Sequence, residues 1–206
     1  MLPYIAGLIA GDGHIEQNGR AVIATSDKEF LLKIDKLIQH KKSIFFDKSA
    51  GVWKISVNSK EFTKQLTDIG IKKGNKTETV MKINLKDDEI RQFISGLYDA
   101  EGHFEVDRRK GCYFKIRIKM KNSSLMEILY EFLSRNDYQP TQCKKDGCIV
   151  VDINRQRKVR KFVSEFMLFH SKWGRLRDLL SEAEGLNFRG YTRPTMRRTM
   201  GCNTVR

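Results

Sequence analysis

The chain has 206 residues, of which 40% are hydrophobic and only three are proline, a composition typical of a folded globular protein. No apolar stretch approaches the roughly 20 residues that a membrane span needs, which excludes membrane proteins as well as collagen-like and disordered chains. The formal charge of +14, from 39 basic and 25 acidic side chains, predicts a polyanionic partner, and nucleic acid is the most common one.

Cysteine usage and the N-terminus indicate the compartment. No two of the four cysteines form a CxxC pair, so we expect them to be reduced and without a metal or redox role; they are Cys112, Cys143, Cys148 and Cys202. The first residues, Met-Leu-Pro-Tyr, lack the basic and apolar segments of a signal peptide. We therefore expect an intracellular protein, in the cytoplasm or an organelle matrix, associated with the nucleoid when it acts.

One segment of the chain occurs twice. Residues 5–16 read IAGLIAGDGHIE and residues 94–105 read ISGLYDAEGHFE, and six of the twelve positions are identical. Such self-similarity is typical of a duplicated structural unit. It predicts one repeat over residues 1–88, a second over 89–185, and a tail over 186–206 that contains five arginines and no acidic residue.

The elements that follow each copy have the same order. After the first copy we predict a hairpin at Asn18-Gly19, a helix from Ser26 or Asp27 to about His40, strands at Ser43–Asp47 and Val52–Val57, and a helix from Ser59 to Ile69. After the second we predict strands at Phe104–Asp107 and Tyr113–Met120, a helix from Asn122 to about Asn136, a hairpin at Asp146-Gly147, and a closing helix over roughly Val159–Leu168. The fold class is therefore α/β of the α+β type, with two pseudo-symmetric α-β-β-α-β-β-α repeats.

Small residues on the first helix of each repeat indicate how the repeats meet. Gly7 and Gly11 are four residues apart, and Gly96 and Ala100 repeat that spacing. Small side chains on one face let two helix backbones approach closely. We expect the two helices to pack on each other, with the acidic residues at their C-terminal ends, one in each copy of the motif, side by side.

Those two acids, Asp12 and Glu101, predict a metal site. Neighbouring carboxylates repel each other, and the negative ends of two helix dipoles add to the demand for a cation. Mg²⁺ binds through one or two carboxylates together with substrate phosphate and water, and two such ions about 3.5–4 Å apart would promote phosphodiester hydrolysis. The alternative is that both acids are ordinary polar residues at helix ends.

The segments IAGLIAGDG, from Ile5, and ISGLYDAEG, from Ile94, resemble the two motif copies of the LAGLIDADG homing endonucleases in their single-chain form. The resemblance implies a saddle-shaped monomer that binds a long double-stranded DNA site on two antiparallel sheets. It further implies cleavage of both strands across the minor groove, which leaves short 3′ overhangs. By the same resemblance Asp12 and Glu101 hold metal with the carbonyls of Gly11 and Ala100, the cofactor being Mg²⁺, with Mn²⁺ as the alternative.

The resemblance also implies a lysine near each active centre. In the first repeat the segment Gly70–Thr77 resembles the lysine-bearing turn of the family, with Lys76 as the candidate. Alignment of the repeats places Lys172 at the matching position of the second. Lys119 aligns with a polar strand residue near the active site in relatives. Ordinary surface charge is the alternative for the two turn lysines.

Alternating basic residues predict the DNA-reading surface. The run from Lys115 to Lys121 places four cations on one face of a strand and three apolar side chains on the other, which suits contacts with guanine and phosphate. The predicted DNA-binding residues are Arg20, Lys48, Lys54, Arg108, Arg109, Lys110, Lys115, Arg117, Lys119, Lys121, Lys144, Lys145, Arg155 and Arg157. His14 and His103, which follow the two acids, are interpreted as strand residues and not as metal ligands.

The leading hypothesis is a monomeric, metal-dependent DNA endonuclease encoded by a mobile intron or an intein, of which the intron is favoured. Two alternatives use the same fold: an intron maturase, whose partner is intron RNA, and a DNA-binding regulator that has lost cleavage. An acid in both motif copies disfavours the regulator. The basic tail either grips phosphates or only raises solubility.

Overall fold

The computed structural model describes residues 1–74, 80–107 and 113–187, with side chains up to Ala183. Its helices are α1 (Leu2–Gly11), α2 (Lys28–Leu37), α3 (Lys60–Ile69), α4 (Asp87–Glu101), α5 (Ser123–Arg135), α6 (Gln156–Glu165) and α7 (Ser171–Asn187). Its strands are β1 (His14–Ile15), β2 (Ala21–Thr25), β3 (Lys42–Asp47), β4 (Val52–Val57), β5 (Gly102–Asp107), β6 (Tyr113–Met120), β7 (Thr141–Lys145) and β8 (Cys148–Ile153). No helix within these ranges has the length and apolar character needed to cross a membrane.

Local signals set most of the boundaries. The side chains of Asp27, Ser59 and Asn122 each accept a hydrogen bond from the backbone N–H three residues later, at 3.0–3.2 Å, and so begin α2, α3 and α5. Gly70 ends α3 in the left-handed region, with φ of 115°. These predicted helix starts, and the predicted end of α3, are confirmed.

The two sheets have the same topology. Their strand orders are β1-β2-β4-β3 and β5-β6-β8-β7, and every neighbouring pair is antiparallel. The registers match as well, since Val22 lies between His14 and Ser56 as Arg117 lies between His103 and Asp152. The predicted α+β class and the duplicated strand order are both confirmed.

One hydrophobic core runs through both repeats. Helices α1 and α4 lie at its centre, where Tyr4, Ile9, Phe93 and Leu97 are at most 1% exposed. The inward strand residues of both sheets join the same cluster. The core therefore fixes the ends of α1 and α4 relative to both sheets.

Two helices differ from the prediction in their boundaries, and one helix was not predicted. Helix α2 ends at Leu37 and not near His40, because Ile38 is already extended. Helix α6 begins and ends three residues before the predicted helix, since Phe166 is extended. That helix does not close the second repeat, because α7 follows it and buries Trp173, Leu176 and Leu180 in the core.

Candidate active site

Helices α1 and α4 are in backbone contact. A Cβ atom on Gly7 would overlap the carbonyl oxygen of Phe93, and one on Gly96 would overlap that of Tyr4. A Cβ atom on Gly11 would overlap the Cβ atom of Ala100. The close helix packing predicted from the spacing of small residues is confirmed, and only residues without large side chains permit it.

This contact brings the two motif acids to one end of the helix pair. Asp12 caps the C-terminus of α1, and its backbone N–H donates to the carbonyl of Leu8. Glu101 is the last residue of α4, and its Cγ would lie 3.2 Å from a Cβ built on Gly11. Lys172 Nζ lies 3.5 Å from the carbonyl oxygen of Ala100, which precedes Glu101 and packs against Gly11, the residue before Asp12. The two carboxylates therefore lie near this ammonium group and favour its charged form.

Lys172 reaches this site from the first turn of α7. Its Nζ donates to the carbonyl oxygen of Asp99 at 2.8 Å and lies 3.5 Å from that of Ala100. Burial lowers the pKa of Lys172, and the negative charges of Asp99, Asp12 and Glu101 oppose that effect. The ammonium group thus places positive charge beside two carboxylates at the end of two helix dipoles.

The side chain of Asp99 anchors the segment that carries Lys172. It is 1% exposed and accepts hydrogen bonds from Tyr4 Oη at 2.6 Å, from the N–H of Phe169 at 2.7 Å and from that of His170 at 3.3 Å. Burial raises the pKa of Asp99 and outweighs these hydrogen bonds. Residues from α1, α4 and the segment just before α7 therefore meet at one carboxyl group.

A pocket opens beside these groups. It has a volume of about 240 Å³, and Gly11, Glu101, Lys119 and Lys121 are among the residues that line it. The ammonium group of Lys119 also pairs with Asp146 at 3.0 Å. The structure thus brings Lys119, predicted on a strand, to the same pocket as the acid of α4.

The outer face of the second sheet contains a network of charges. Arg117 Nε and Nη2 donate to the two oxygens of Asp152 at 2.7 and 2.8 Å, and Nη1 donates to Glu105 at 2.6 Å. Lys115 lies 3.5 Å from Glu105 and 3.9 Å from Asp152. The alternation predicted for β6 is confirmed, because Ile116, Ile118 and Met120 are buried on its opposite face.

The outer face of the first sheet is mostly apolar or small. Val22, Ala24 and Phe45 lie on it, as the register with Ser56 and Lys54 shows, but Val22 is 6% exposed and Phe45 is 44% exposed. Lys54 pairs with Asp47 at 2.6 Å, and this pairing holds the pKa of Asp47 below its usual range. The two sheets therefore have the same strand order and register, but the outer face of the second is highly charged and that of the first is mostly apolar or small.

The remaining predicted DNA-binding residues are dispersed. Arg20 lies in the β1–β2 turn beside Glu16 at 2.7 Å, Lys48 in the β3–β4 turn, and Arg155 and Arg157 at the start of α6. Lys145 ends β7, whereas Lys144 lies on the opposite face of the sheet, in register with Ile149. Four predicted residues, Lys76, Arg108, Arg109 and Lys110, lie outside the described residues.

The candidate site fits a hard divalent cation through its oxygen groups. Two carboxylates and the adjacent backbone carbonyls of Gly11 and Ala100 lie where two helices end. Within the described part of the chain, no three His, Cys, Asp or Glu side chains form a metal-binding group. Such a cation would thus take further ligands from water and phosphate, as Mg²⁺ commonly does.

Comparisons with known proteins agree with this fold. Residues 88–167 match the family model of the LAGLIDADG-like domain. I-DmoI in complex with DNA and Mn is 24% identical with a TM-score of 0.53, over 79% of this chain and 93% of that chain. I-SmaMI bound to an uncleaved DNA target in the presence of calcium is 12% identical with a TM-score of 0.65, over 92% of each chain.

A curated relative is much longer than this chain. The glutamine–fructose-6-phosphate aminotransferase of Methanocaldococcus jannaschii is 24% identical over an alignment 212 residues long, and this alignment covers 94% of this chain and 18% of that protein. The chain therefore spans less than a fifth of the length of this relative. The aminotransferase activity does not transfer to it on this match.

Proposed function

We propose that this chain, which carries a LAGLIDADG-like domain on the fold of the single-chain homing endonucleases, is a site-specific DNA endonuclease. In this proposal it binds a long duplex target and hydrolyses one phosphodiester bond in each strand to leave a staggered break. The observation that carries the proposal is the shared position of Asp12, Glu101 and Lys172 at the end of the α1–α4 pair.

We assign the metal-binding role to Asp12 and Glu101, with the carbonyl oxygens of Gly11 and Ala100 as neighbouring ligands. Solved complexes of I-DmoI with DNA contain Mn or Ca, or were obtained with Mg, which supports a divalent cation. When bound, Mg²⁺ or Mn²⁺ would activate a water molecule and stabilise charge on the leaving oxygen. The carboxylates would hold that cation against the scissile phosphate.

The protein's own cations have a second role. The buried ammonium group of Lys172 can stabilise the negative charge that builds up on the phosphate in the transition state. Lys119, in the pocket beside Glu101, can do the same or orient solvent. For the first repeat we retain Lys76 as the corresponding lysine on sequence grounds.

The DNA-binding role falls to the outer faces of the two sheets. Lys115, Arg117, Lys119 and Lys54 lie there, and Lys121 follows at the end of β6. One chain contains two sheets and two motif acids, so we infer that a monomer, divided near residue 88 into two repeats, cuts both strands. We also infer an intracellular, intron-encoded protein whose basic tail adds to DNA affinity.

The test is cleavage of a plasmid library that carries randomised target inserts, in magnesium. We expect linear product whose ends have short 3′ overhangs. Asp12→Asn and Glu101→Gln should each abolish double-strand cleavage, and chelation of the metal should do the same. Glu127→Gln, which removes an exposed carboxylate on α5, is the matched control and should leave cleavage unchanged.

Other outcomes would reject the proposal. Tight duplex binding without cleavage in either metal would indicate a DNA-binding regulator. Binding of structured intron RNA in preference to duplex DNA would indicate a maturase. Cleavage that survives Asp12→Asn and Glu101→Gln together would place the chemistry elsewhere.

A further inference from the structure

We propose that the two sheets read their half-sites with different chemistry, the second through guanine and the first through thymine methyl groups. This inference rests on the proposed function and specifies its DNA target. It comes from positions that the duplication makes equivalent. In the first repeat, His14 pairs across the sheet with Val22, which pairs with Ser56. In the second repeat, His103 pairs with Arg117, which pairs with Asp152.

At the central position of this set, the second sheet has a side chain that can donate hydrogen bonds to a base. Arg117 lies between His103 and Asp152, and three of its five N–H donors are engaged by Asp152 and Glu105. One N–H remains on each terminal nitrogen. Two donors on one guanidinium match the O6 and N7 acceptors of guanine in the major groove.

The acidic partners fix where that guanidinium lies. Asp152 holds it through two hydrogen bonds from the neighbouring strand, and Glu105 holds it from the other side. A long side chain that is already ordered loses less conformational entropy when it binds a base. We therefore expect Arg117 to favour guanine at one position, and not merely to contact phosphate.

The first sheet has no arginine at the matching position, and an exposed apolar surface lies beside that position. Val22 lies between His14 and Ser56, where the second sheet has Arg117 between His103 and Asp152. Val22 and Ser56 are each only 6% exposed, so the apolar surface that DNA can reach is formed by Phe45, which is 44% exposed, and by Ala24 on the same face. Such side chains cannot donate to guanine, but they can contact the C5 methyl group of thymine.

The test begins with selection of a target from a pool of duplexes with a random centre, bound in calcium without magnesium. We expect a site that lacks twofold symmetry, with guanine at one position of one half and thymine, not guanine, in the part of the other half that Phe45 and Ala24 face. Arg117→Ala should erase the guanine preference and keep the thymine preference. Arg117→Lys, which keeps the charge but not the fork, should weaken the guanine preference with little loss of total affinity.

Modified DNA tests the same idea without changing the protein. Replacing the contacted guanine by 7-deazaguanine removes N7 and should weaken binding about tenfold. Replacing thymine by deoxyuridine in the other half removes only the methyl group and should weaken binding about threefold. Deoxyuridine placed in the guanine-bearing half is the control and should have little effect.

A graft tests sufficiency. Val22→Arg combined with Ser56→Asp would rebuild the arginine–carboxylate pair in the first sheet, where Glu16 already stands at the position of Glu105 in the repeat alignment. The selected site should then carry guanine in both halves. Circular dichroism on each variant shows whether it folds, and the deoxyuridine experiment remains decisive where one does not.

The outcomes separate this inference from the proposed function. A site that is selected and cut, but has guanine in both halves with the unaltered protein, overturns the inference alone. The same holds if Arg117→Ala weakens all duplexes equally, or if deoxyuridine has no effect in either half. If no duplex is selected or cut, the proposed function itself fails.

Discussion

Gly7→Ala tests whether the α1–α4 contact determines the active centre. The added methyl group would overlap the carbonyl oxygen of Phe93, a backbone atom that no side-chain rotation can move away. The two helices must therefore separate or slide. Because Asp12 and Glu101 lie at the ends of these helices, their carboxylates should move with them.

The size of the effect follows from two opposing terms. Overpacking of a core costs up to about 3 kcal/mol, and alanine returns about 1 kcal/mol of helix propensity relative to glycine. We expect Gly7→Ala to lower the free energy of unfolding by about 2 kcal/mol. A displacement of the carboxylates by roughly 1 Å should also lower the rate of cleavage about 100-fold.

Gly174 provides the matched control. It lies inside α7, and a Cβ built on it meets nothing within 4 Å. Gly174→Ala should therefore raise the free energy of unfolding by about 1 kcal/mol and leave the cleavage rate unchanged. Urea unfolding and single-turnover cleavage measure both quantities. If the two glycine variants change stability in the same direction, the helix contact does not constrain the site as argued.

Three further predictions concern the segment that carries Lys172. Lys172→Met should lower the cleavage rate at least tenfold and leave duplex affinity in calcium within about threefold, measured by fluorescence anisotropy. Asp99→Asn should destabilise the fold by about 2 kcal/mol in urea and lower the cleavage rate, because its amide cannot accept from every donor now directed at the carboxyl group. Asp27→Ala should cost about 1–2 kcal/mol at neutral pH, because it removes the cap of α2 and the bond from Ser171. Burial raises the pKa of Asp27, but hydrogen bonds from the N–H of Phe30 and from Ser171 lower it below its ordinary value, so this cost should disappear as pH falls through that lowered pKa.

Local signals in the sequence were sufficient for most of the fold. Caps at Asp27, Ser59 and Asn122 marked helix starts because the capping side chain bonds only three residues ahead. The paired glycines located the helix contact, since small residues at this spacing have little other use inside a helix. The alternation in β6 separated its core face from its outer face.

The features that the sequence did not reveal depend on distant partners. Asp99 acts through Tyr4, 95 residues earlier, and through Phe169, 70 residues later. Likewise, the charge pattern of β6 does not tell that Arg117 is held by Asp152 from another strand. The available signal was Asp152, the one acidic residue in the otherwise apolar strand β8, which indicates a buried carboxylate that needs a basic partner. Helix α7 was missed because Gly174 and mixed charges obscure its apolar stripe.

The duplication does not make the two centres of the proposed endonuclease equivalent. Ala10 stands in α1 at the position that Asp99 holds in α4, and a methyl group cannot accept the hydrogen bonds that Asp99 receives from Tyr4, Phe169 and His170. Any lysine that serves the first centre must therefore be positioned by other groups. Each motif copy contributes an acid, but only the second contains the buried carboxyl group of Asp99. The two strands of a target would therefore be cleaved in different surroundings.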